Sequence, residues 1–132
     1  MIQLIDSSLL KKVTNEAKAS ARLRMNFNFH TDLNDKCQRL LNALEPGTKM
    51  PIHHHKVAEM WMVLTGRLKL TIHDEKGSVI EDYILSPQEG IFGVQIPENT
   101  WHSLECLDSG TVIFEVKEGP YIPHEQGGIL EI

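Results

Sequence analysis

Short segments of alternating polarity, each followed by turn residues such as Gly, Pro and Asp, make up most of this chain and limit the folds that it can form. In the first segment, Phe27 and Phe29 alternate with Asn26, Asn28 and His30, as in a strand with one apolar face. The same pattern predicts strands at residues 37–44, 59–65, 67–73, 78–85, 92–96, 101–107 and 111–117. Many short strands with no helix between them are typical of an antiparallel, all-β sandwich or barrel.

The N-terminal segment differs from the rest, because its pattern predicts a helix over residues 6–20. Asp6 or Ser7 can cap this helix, since a short side-chain oxygen accepts hydrogen bonds from the free N–H groups of the first turn. The apolar stripe of the helix consists of Leu9, Leu10, Val13 and Ala17. We therefore expect a short helix that packs on the outside of the β-structure.

The length of 132 residues suits a single domain. We expect the helix within residues 1–23, the barrel within residues 24–119 and an irregular tail, rich in Pro and Gly, within residues 120–132. Cys37 and Cys106 lie far apart and form no CxxC pair, so we expect two ordinary thiols rather than a disulfide framework.

Charge and hydropathy exclude several classes of partner. The formal net charge is −5, and the basic residues form neither a run nor a stripe, so we expect no binding to nucleic acid and no electrostatic anchor on a membrane. The N-terminus lacks the basic region of a signal peptide, and no stretch approaches the ~20 apolar residues that span a bilayer. We therefore expect a cytoplasmic protein.

Three consecutive histidines begin the most informative part of the sequence. In a strand, residues two apart share a face, so His53 and His55 can reach one metal ion while His54 points away. Glu59 lies at an even offset from both and enters the next strand, from which it can return to the same interior. A surface histidine run beside an unrelated glutamate is the alternative interpretation.

His102 completes this set. It follows the turn Pro97–Asn99, and Asn99 is one of the few residues other than glycine that tolerate a positive φ. A lone histidine in such a place is more often a packed core residue, but here three imidazoles and one carboxylate become available together. The sequence predicts one divalent transition metal (Fe, Mn, Zn, Ni or Cu) held by His53, His55, Glu59 and His102.

These residues carry a family resemblance. The stretch from Gly47 to Gly66, in the pattern G-x5-H-x-H-x3-E-x6-G, resembles the first cupin motif without departures. The stretch P-x-N-x2-H that ends at His102 resembles the second motif, although Asn99 stands where that motif usually has Gly and Cys106 where it often has Asn. The resemblance implies a cupin-type antiparallel β-barrel, or jelly roll, with a metal inside it, and it also makes a homodimer the expected assembly.

A narrower resemblance extends over most of the chain. Residues 24–30, 37–43 and 114–121 are similar to the WbuC family of small cupin-fold metalloproteins, which are often associated with bacterial O-antigen and surface-polysaccharide gene clusters. The resemblance implies a bacterial source and a metal-bound barrel. It does not imply a particular reaction.

Polar residues that face the interior of a barrel should be few, because burying a polar group without a partner costs about 1–3 kcal/mol. The pocket candidates are Asn28, His30, Gln38, Arg39, Trp61 and Glu115. We expect Arg39 to clamp a carboxylate or phosphate through two hydrogen bonds, and we expect Lys117 on the solvated outer face.

Two functions remain open from the sequence. The first is a metalloenzyme that acts on a small sugar-derived or carboxylate substrate, since four protein ligands leave one or two positions free on the metal. Its acid–base residue would be His30, Glu115 or Tyr121. The second is a non-catalytic module that binds or senses a small ligand and holds a structural metal. Fold does not decide between them, because the cupin barrel hosts many chemistries.

Overall fold

Residues 1–120 and 128–130 are described by the computed structural model, and within them the chain forms one α-helix, one short 3-10 helix and ten strands. The helical elements are α1 (Ser7–Ala19) and the 3-10 turn Pro87–Glu89. The strands are β1 (Arg24–Asn28), β2 (Cys37–Leu44), β3 (Ile52–His53), β4 (Glu59–Thr65), β5 (Leu68–His73), β6 (Val79–Leu85), β7 (Gly93–Ile96), β8 (His102–Cys106), β9 (Thr111–Glu118) and β10 (Ile129–Leu130).

The helix α1 begins where its sequence predicts. Asp6 is the N-cap, and its carboxylate accepts a hydrogen bond of 3.0 Å from the backbone N–H of Leu9. The buried positions of α1, which are Leu9, Val13 and Ala17, pack on Leu41, Ala43 and Val112 of the sheet beneath. No helix in the described part of the chain is long and apolar enough to cross a membrane.

The strands form two antiparallel sheets of five strands each. One sheet has the order β1-β2-β9-β4-β7, and the other has the order β10-β3-β8-β5-β6. Among the described residues the sheets share no strand, so they face each other as an open jelly roll and not as a continuously closed barrel. The predicted all-β, jelly-roll class with an N-terminal helix is confirmed.

Strand register decides which side chains enter the space between the sheets. Lys117 of β9 pairs with Glu59 of β4 on one side and with Gln38 of β2 on the other, so these three share a face. Glu115 pairs with Trp61 and Leu40 in the next inward-facing row. The expected outer position of Lys117 is therefore wrong, because its parity matches that of the buried Glu59.

The interior has an apolar part and a polar part. The apolar part contains Leu44, Trp61, Val63, Leu68, Leu70, Leu85, Ile96, Leu104, Cys106 and Ile113. Each fully buried leucine among them stabilises the fold by about 2 kcal/mol. The polar part lies beside Trp61 and is open to solvent. The packing of the apolar part holds the strands in place, and these strands carry the polar side chains.

The C-terminal segment is more regular than expected where the structure describes it. Ile129–Leu130 forms a short strand on β3, and the backbone N–H of His54 donates to the carbonyl of Gly128 at 3.1 Å. The remainder of the predicted irregular tail, residues 121–127 and 131–132, lies outside the described residues.

Candidate metal centre and its pocket

Two neighbouring strands bring the first histidines together. His53 of β3 and His102 of β8 are direct cross-strand partners, and their ring centroids are 4.4 Å apart. The ring of His55 lies 5.0 Å from that of His53 and 5.9 Å from that of His102. His54, at the opposite parity, packs its ring on Trp101 instead. The ring of His54 is therefore directed to Trp101, while the rings of the other three histidines face one another.

A second contact ties the turn before His102 to the histidine segment. The backbone N–H of Asn99 donates to the carbonyl of His55 at 2.7 Å, and Asn99 adopts a φ of +58°. The sequence expectation that Asn99 takes a positive φ is thus met. The left-handed residue turns the chain so that His102 enters β8 directly after the turn.

Glu59 reaches the same point from the opposite sheet. Its Oε1 lies 3.0 Å from Nε2 of His102, and its Oε2 lies 3.6 Å from Nε2 of His55. One nitrogen from each of His53, His55 and His102 lies within 4.8 Å of the others. The structure therefore brings together all four residues that the sequence predicts as ligands.

Backbone carbonyls set the orientation of two of these rings. Nδ1 of His53 lies 2.8 Å from the carbonyl of Pro51, and Nδ1 of His102 lies 2.8 Å from the carbonyl of Thr100. A carbonyl can only accept, so each Nδ1 carries the proton and the Nε2 of each neutral ring presents a lone pair. Metal-binding histidines are held in this way, with one nitrogen donating to a carbonyl and the other free.

The buried polar atoms at this point fit a cation. Nε2 of His102 and Oε1 of Glu59 are both buried, and neither forms an aligned hydrogen bond within the described part of the chain. Two lone pairs that face each other at 3.0 Å repel, and a cation that both of them bind removes this repulsion. The donor set of three imidazoles and one carboxylate suits a divalent transition metal.

The electrostatics of the site keep the ligands in their metal-binding forms. Burial lowers the pKa of His55 to about 4, and burial is also the largest cause of the lowered pKa of His53. Burial alone would raise the pKa of Glu59, but its contacts with His102 and His55 outweigh that effect and lower it. At neutral pH the two rings are therefore neutral and the carboxylate is charged.

A cavity of about 350 Å³ opens beside the candidate ligands. Its walls include five of the six pocket candidates from the sequence, namely Asn28, His30, Gln38, Trp61 and Glu115. The remaining lining residues are Arg22, Arg24, Asn26, Leu33, Leu40, Asn42, Met50, His53, His55, Glu59 and Lys117. The size is within the range of small-molecule sites.

Arg39 is the pocket candidate that the structure places elsewhere. Its neighbours Gln38 and Leu40 face inward, so Arg39 points to the outer surface, where its Nη2 lies 3.4 Å from Asp35. Its side chain is 41% exposed. The expected clamp by Arg39 is therefore wrong, because side chains alternate along β2 and Arg39 lies on the face opposite the cavity.

Two acid–base candidates lie in the cavity wall. Nδ1 of His30 lies 3.1 Å from both the backbone nitrogen and the carbonyl oxygen of Arg39, so the backbone of Arg39 holds the ring in either tautomer. Glu115 is buried and accepts a hydrogen bond of 3.3 Å from Asn42. Burial, followed by the charge of Glu59, raises the pKa of Glu115 to about 7. Tyr121, the third acid–base candidate, lies outside the described residues.

Sequence reasoning missed the cationic residues of the cavity. Arg24 shares its parity with Asn26 and Asn28, which was a usable signal that it faces inward. Arg22 lies in the connection between α1 and β1, where no periodicity applies. Its position depends on how that connection turns and could not be inferred from spacing.

The two facing sheets and the clustered histidines define a cupin-fold protein with a candidate metal site. The chain belongs to the family described as "Domain of unknown function (DUF6016)", whose model matches residues 5–85. No curated protein matches the chain.

Solved structures share the fold at low sequence identity. The capsular polysaccharide assembling protein CapF from Staphylococcus aureus is 22% identical with a TM-score of 0.64, and the match covers 81% of this chain but 29% of CapF. A conserved protein of unknown function from Streptococcus pyogenes is 13% identical with a TM-score of 0.62, covering 92% of this chain and 91% of that one. A cupin 2 domain-containing protein from Halorhodospira halophila is 14% identical with a TM-score of 0.57, covering 72% and 63%. This chain spans about a third of CapF, and these likenesses concern the fold.

Proposed function

We propose that this protein is a cupin that binds one divalent transition metal through His53, His55, Glu59 and His102 and acts as a metalloenzyme on a small polar substrate in the adjoining cavity. The observation that carries the proposal is the convergence of three histidine nitrogens within 4.8 Å of one another. The carboxylate of Glu59 adds the fourth donor. Fe, Mn, Zn, Ni and Cu all accept this donor set.

A metal bound by these residues would supply a Lewis acid that polarises a substrate oxygen. The residues of the chain supply the rest. Glu115 can exchange a proton with the substrate, because its burial raises its pKa, to about 7 in the metal-free protein. The imidazole of His30 is a second acid–base group in the cavity wall, and Trp61 forms an apolar wall beside His102, with ring centroids 5.8 Å apart.

The substrate class proposed is a sugar-derived or carboxylate compound in bacterial surface-polysaccharide metabolism, handled in the cytoplasm. Three observations support this proposal. CapF, which shares the fold, is a capsular polysaccharide assembling protein. The WbuC resemblance implies an O-antigen or related gene cluster, and the polar lining of the cavity suits a hydroxylated compound. We propose that residues 1–132 belong to one cupin domain.

A binding or sensing module with a structural metal is the second candidate. The depth of the site favours it, because Glu59 is 4% exposed and His102 is 1% exposed. A metal at this depth would join the two sheets and stabilise the fold. Incubating the metal-loaded protein with sugar phosphates and sugar acids separates the candidates: a changed product mass indicates an enzyme, and unaltered bound ligand indicates a module.

Metal content is the primary test. Protein purified without a His-tag is analysed for metals as wild type, His53→Ala, His102→Ala and the matched control His54→Ala, whose ring packs on Trp101. We expect near-stoichiometric metal in the wild type and the control and its loss in the other two variants. A wild type that stays metal-free after incubation with each of the five metals would overturn the proposal.

We also propose a homodimer. Met60, Met62 and Leu64 lie on the outer face of β4, and they are 45%, 41% and 40% exposed. The neighbouring Phe92 is 57% exposed. Helix α1 packs on residues of β2 and β9 and leaves these side chains of β4 open. Contiguous exposed apolar side chains of this kind often form protein–protein contacts.

A further inference from the structure

The cavity holds positive charge that the described residues do not neutralise. Arg22, Arg24 and Lys117 all line it. Among residues 1–120 and 128–130, no carboxylate forms an ion pair with any of these three side chains. Lys117 does lie in the same row as Glu59, whose charge it feels.

A fixed turn brings both arginines to the cavity. Leu23, which lies between them, adopts a φ of +57°, a conformation that is uncommon for a residue other than glycine. Its carbonyl accepts a hydrogen bond of 3.0 Å from the N–H of Glu45, and the carbonyl of Arg22 accepts one of 2.7 Å from the hydroxyl of Thr48. These bonds hold a strained backbone, as is common where a ligand must be positioned.

The two guanidinium groups repel each other. The pKa of Arg24 is lowered, first by burial and then by the charge of Arg22. Both groups remain protonated at neutral pH, because an arginine is effectively always charged. A bound anion would therefore remove a repulsion as well as form hydrogen bonds, and two arginines match the charge of a phosphate, about −1.5 to −2, better than that of a carboxylate.

Amide side chains continue from the arginines along the cavity wall. Asn26 and Asn28 follow Arg24 at the same parity of β1, and Asn26 is the cross-strand partner of Asn42. Oδ1 of Asn42 is buried without a hydrogen-bond partner among the described residues. Amides both donate and accept, so they suit hydroxyl groups. Arg24 and Asn28 are four positions apart along β1, a distance of about 13 Å.

We propose that Arg22 and Arg24 bind the phosphate of a polyhydroxylated small molecule, whose hydroxyl groups bind Asn26, Asn28 and Asn42. The remaining end of the molecule faces Glu59 and the histidines. As a statement about a substrate, this inference rests on the proposed function. As a statement about a binding site, it stands on the arginine pair alone.

Isothermal titration tests the inference with four probes: glucose 1-phosphate, inorganic phosphate, glucose and glucuronate. We expect glucose 1-phosphate to bind at least tenfold more tightly than glucose or glucuronate, and inorganic phosphate to compete with it. Arg24→Gln and Arg22→Gln should each weaken glucose 1-phosphate about tenfold or more, because each loses a charge-assisted hydrogen bond. Arg22 is exposed, so its replacement tests the site even if Arg24→Gln is unstable.

The matched control is Arg39→Gln, which removes the same charge from the outer face, where Arg39 pairs with Asp35. The control should leave binding unchanged. If neither phosphate-bearing probe binds more tightly than glucose, or if both arginine variants bind glucose 1-phosphate as the wild type does, the inference is wrong.

The titrations are run on metal-loaded and on chelator-treated protein. If the chelator-treated protein prefers the phosphate-bearing probes, and if this preference is lost in the arginine variants, the inference is supported even where the metal proposal fails. Stoichiometric metal together with no preference for the phosphate-bearing probes refutes the inference and leaves the metal proposal intact.

Discussion

Oε1 of Glu59 and Nε2 of His102 lie 3.0 Å apart across the two sheets, and both atoms are buried without an aligned hydrogen bond in the described part of the chain. Because Nδ1 of His102 donates to the carbonyl of Thr100, the neutral ring turns a lone pair towards the carboxylate. The two lone pairs repel while the ring is neutral, and a cation that both atoms bind, either a metal ion or a proton, removes that repulsion.

This relationship predicts opposite effects of Glu59→Gln on stability and on metal affinity. The amide of glutamine can donate to Nε2 of His102, so the metal-free variant should be at least as stable as the wild type, with a gain of about 1 kcal/mol. Its metal affinity should fall tenfold or more, because a charged ligand is lost. Urea unfolding in EDTA and competition with a chromophoric chelator measure the two quantities.

Glu59→Ala is the comparison variant, since it removes the carboxylate without offering a donor to His102. It should bind metal as poorly as Glu59→Gln and be less stable without metal. Equal stability of the two variants in EDTA would contradict the proposed arrangement of lone pairs.

Glu115 predicts a pH dependence of stability. Its pKa is raised from 4.5 to about 7 in the folded protein, so the folded state holds an extra proton between these values. The stabilisation from that proton is complete below the unfolded pKa and is lost as the pH rises through about 7. The free energy of unfolding of Glu115→Gln, relative to that of the wild type, should therefore increase between about pH 5 and about pH 8, by at most about 3 kcal/mol.

Urea unfolding of both proteins in EDTA at the two pH values gives the difference. Comparing variant with wild type at each pH subtracts the titration of the histidines, which occurs in the same range. A stability difference that does not change with pH would show that Glu115 is ionised in the folded protein at both values.

Asn99 predicts a graded effect of substitution. Its φ of +58° favours glycine, so Asn99→Gly should retain stability and metal binding. Asn99→Val should destabilise the protein by about 1–3 kcal/mol, because a β-branched residue is strained in this conformation. It should also weaken metal binding, since the N–H of residue 99 holds the carbonyl of His55. Thermal unfolding and metal competition measure both effects, and identical behaviour of the two variants would show that the turn does not position the site.

The outer face of β4 predicts the assembly. Met62→Glu places a charge among exposed apolar side chains and should convert a dimer into a monomer, as measured by sedimentation velocity. Val79→Glu is the control, because Val79 is 61% exposed and lies on β6 of the other sheet. A wild-type monomer, or a dimer that Val79→Glu disrupts and Met62→Glu does not, would contradict the proposed interface.

The sequence by itself determined the helix, eight of the ten described strands and the four residues that converge at the candidate metal centre. Local rules carry that information: alternation along a strand fixes which side chains share a face, and this separates His53 and His55 from His54. The same rule made Asn28, Gln38 and Glu115 candidates for the interior, although it left Arg39 as an alternative to Gln38. Turn chemistry marked Asn99, because few residues tolerate a positive φ.

Only the tertiary structure decided how these faces are combined. The register between β2, β9 and β4 sets Lys117 beside Glu59, and no local pattern contains that pairing. The same holds for Arg22, which reaches the cavity through a turn held by Glu45 and Thr48. Hydrogen bonds between segments distant in sequence fix these positions. The cationic side of the cavity, formed by Arg22, Arg24 and Lys117, could therefore be identified only from the tertiary structure.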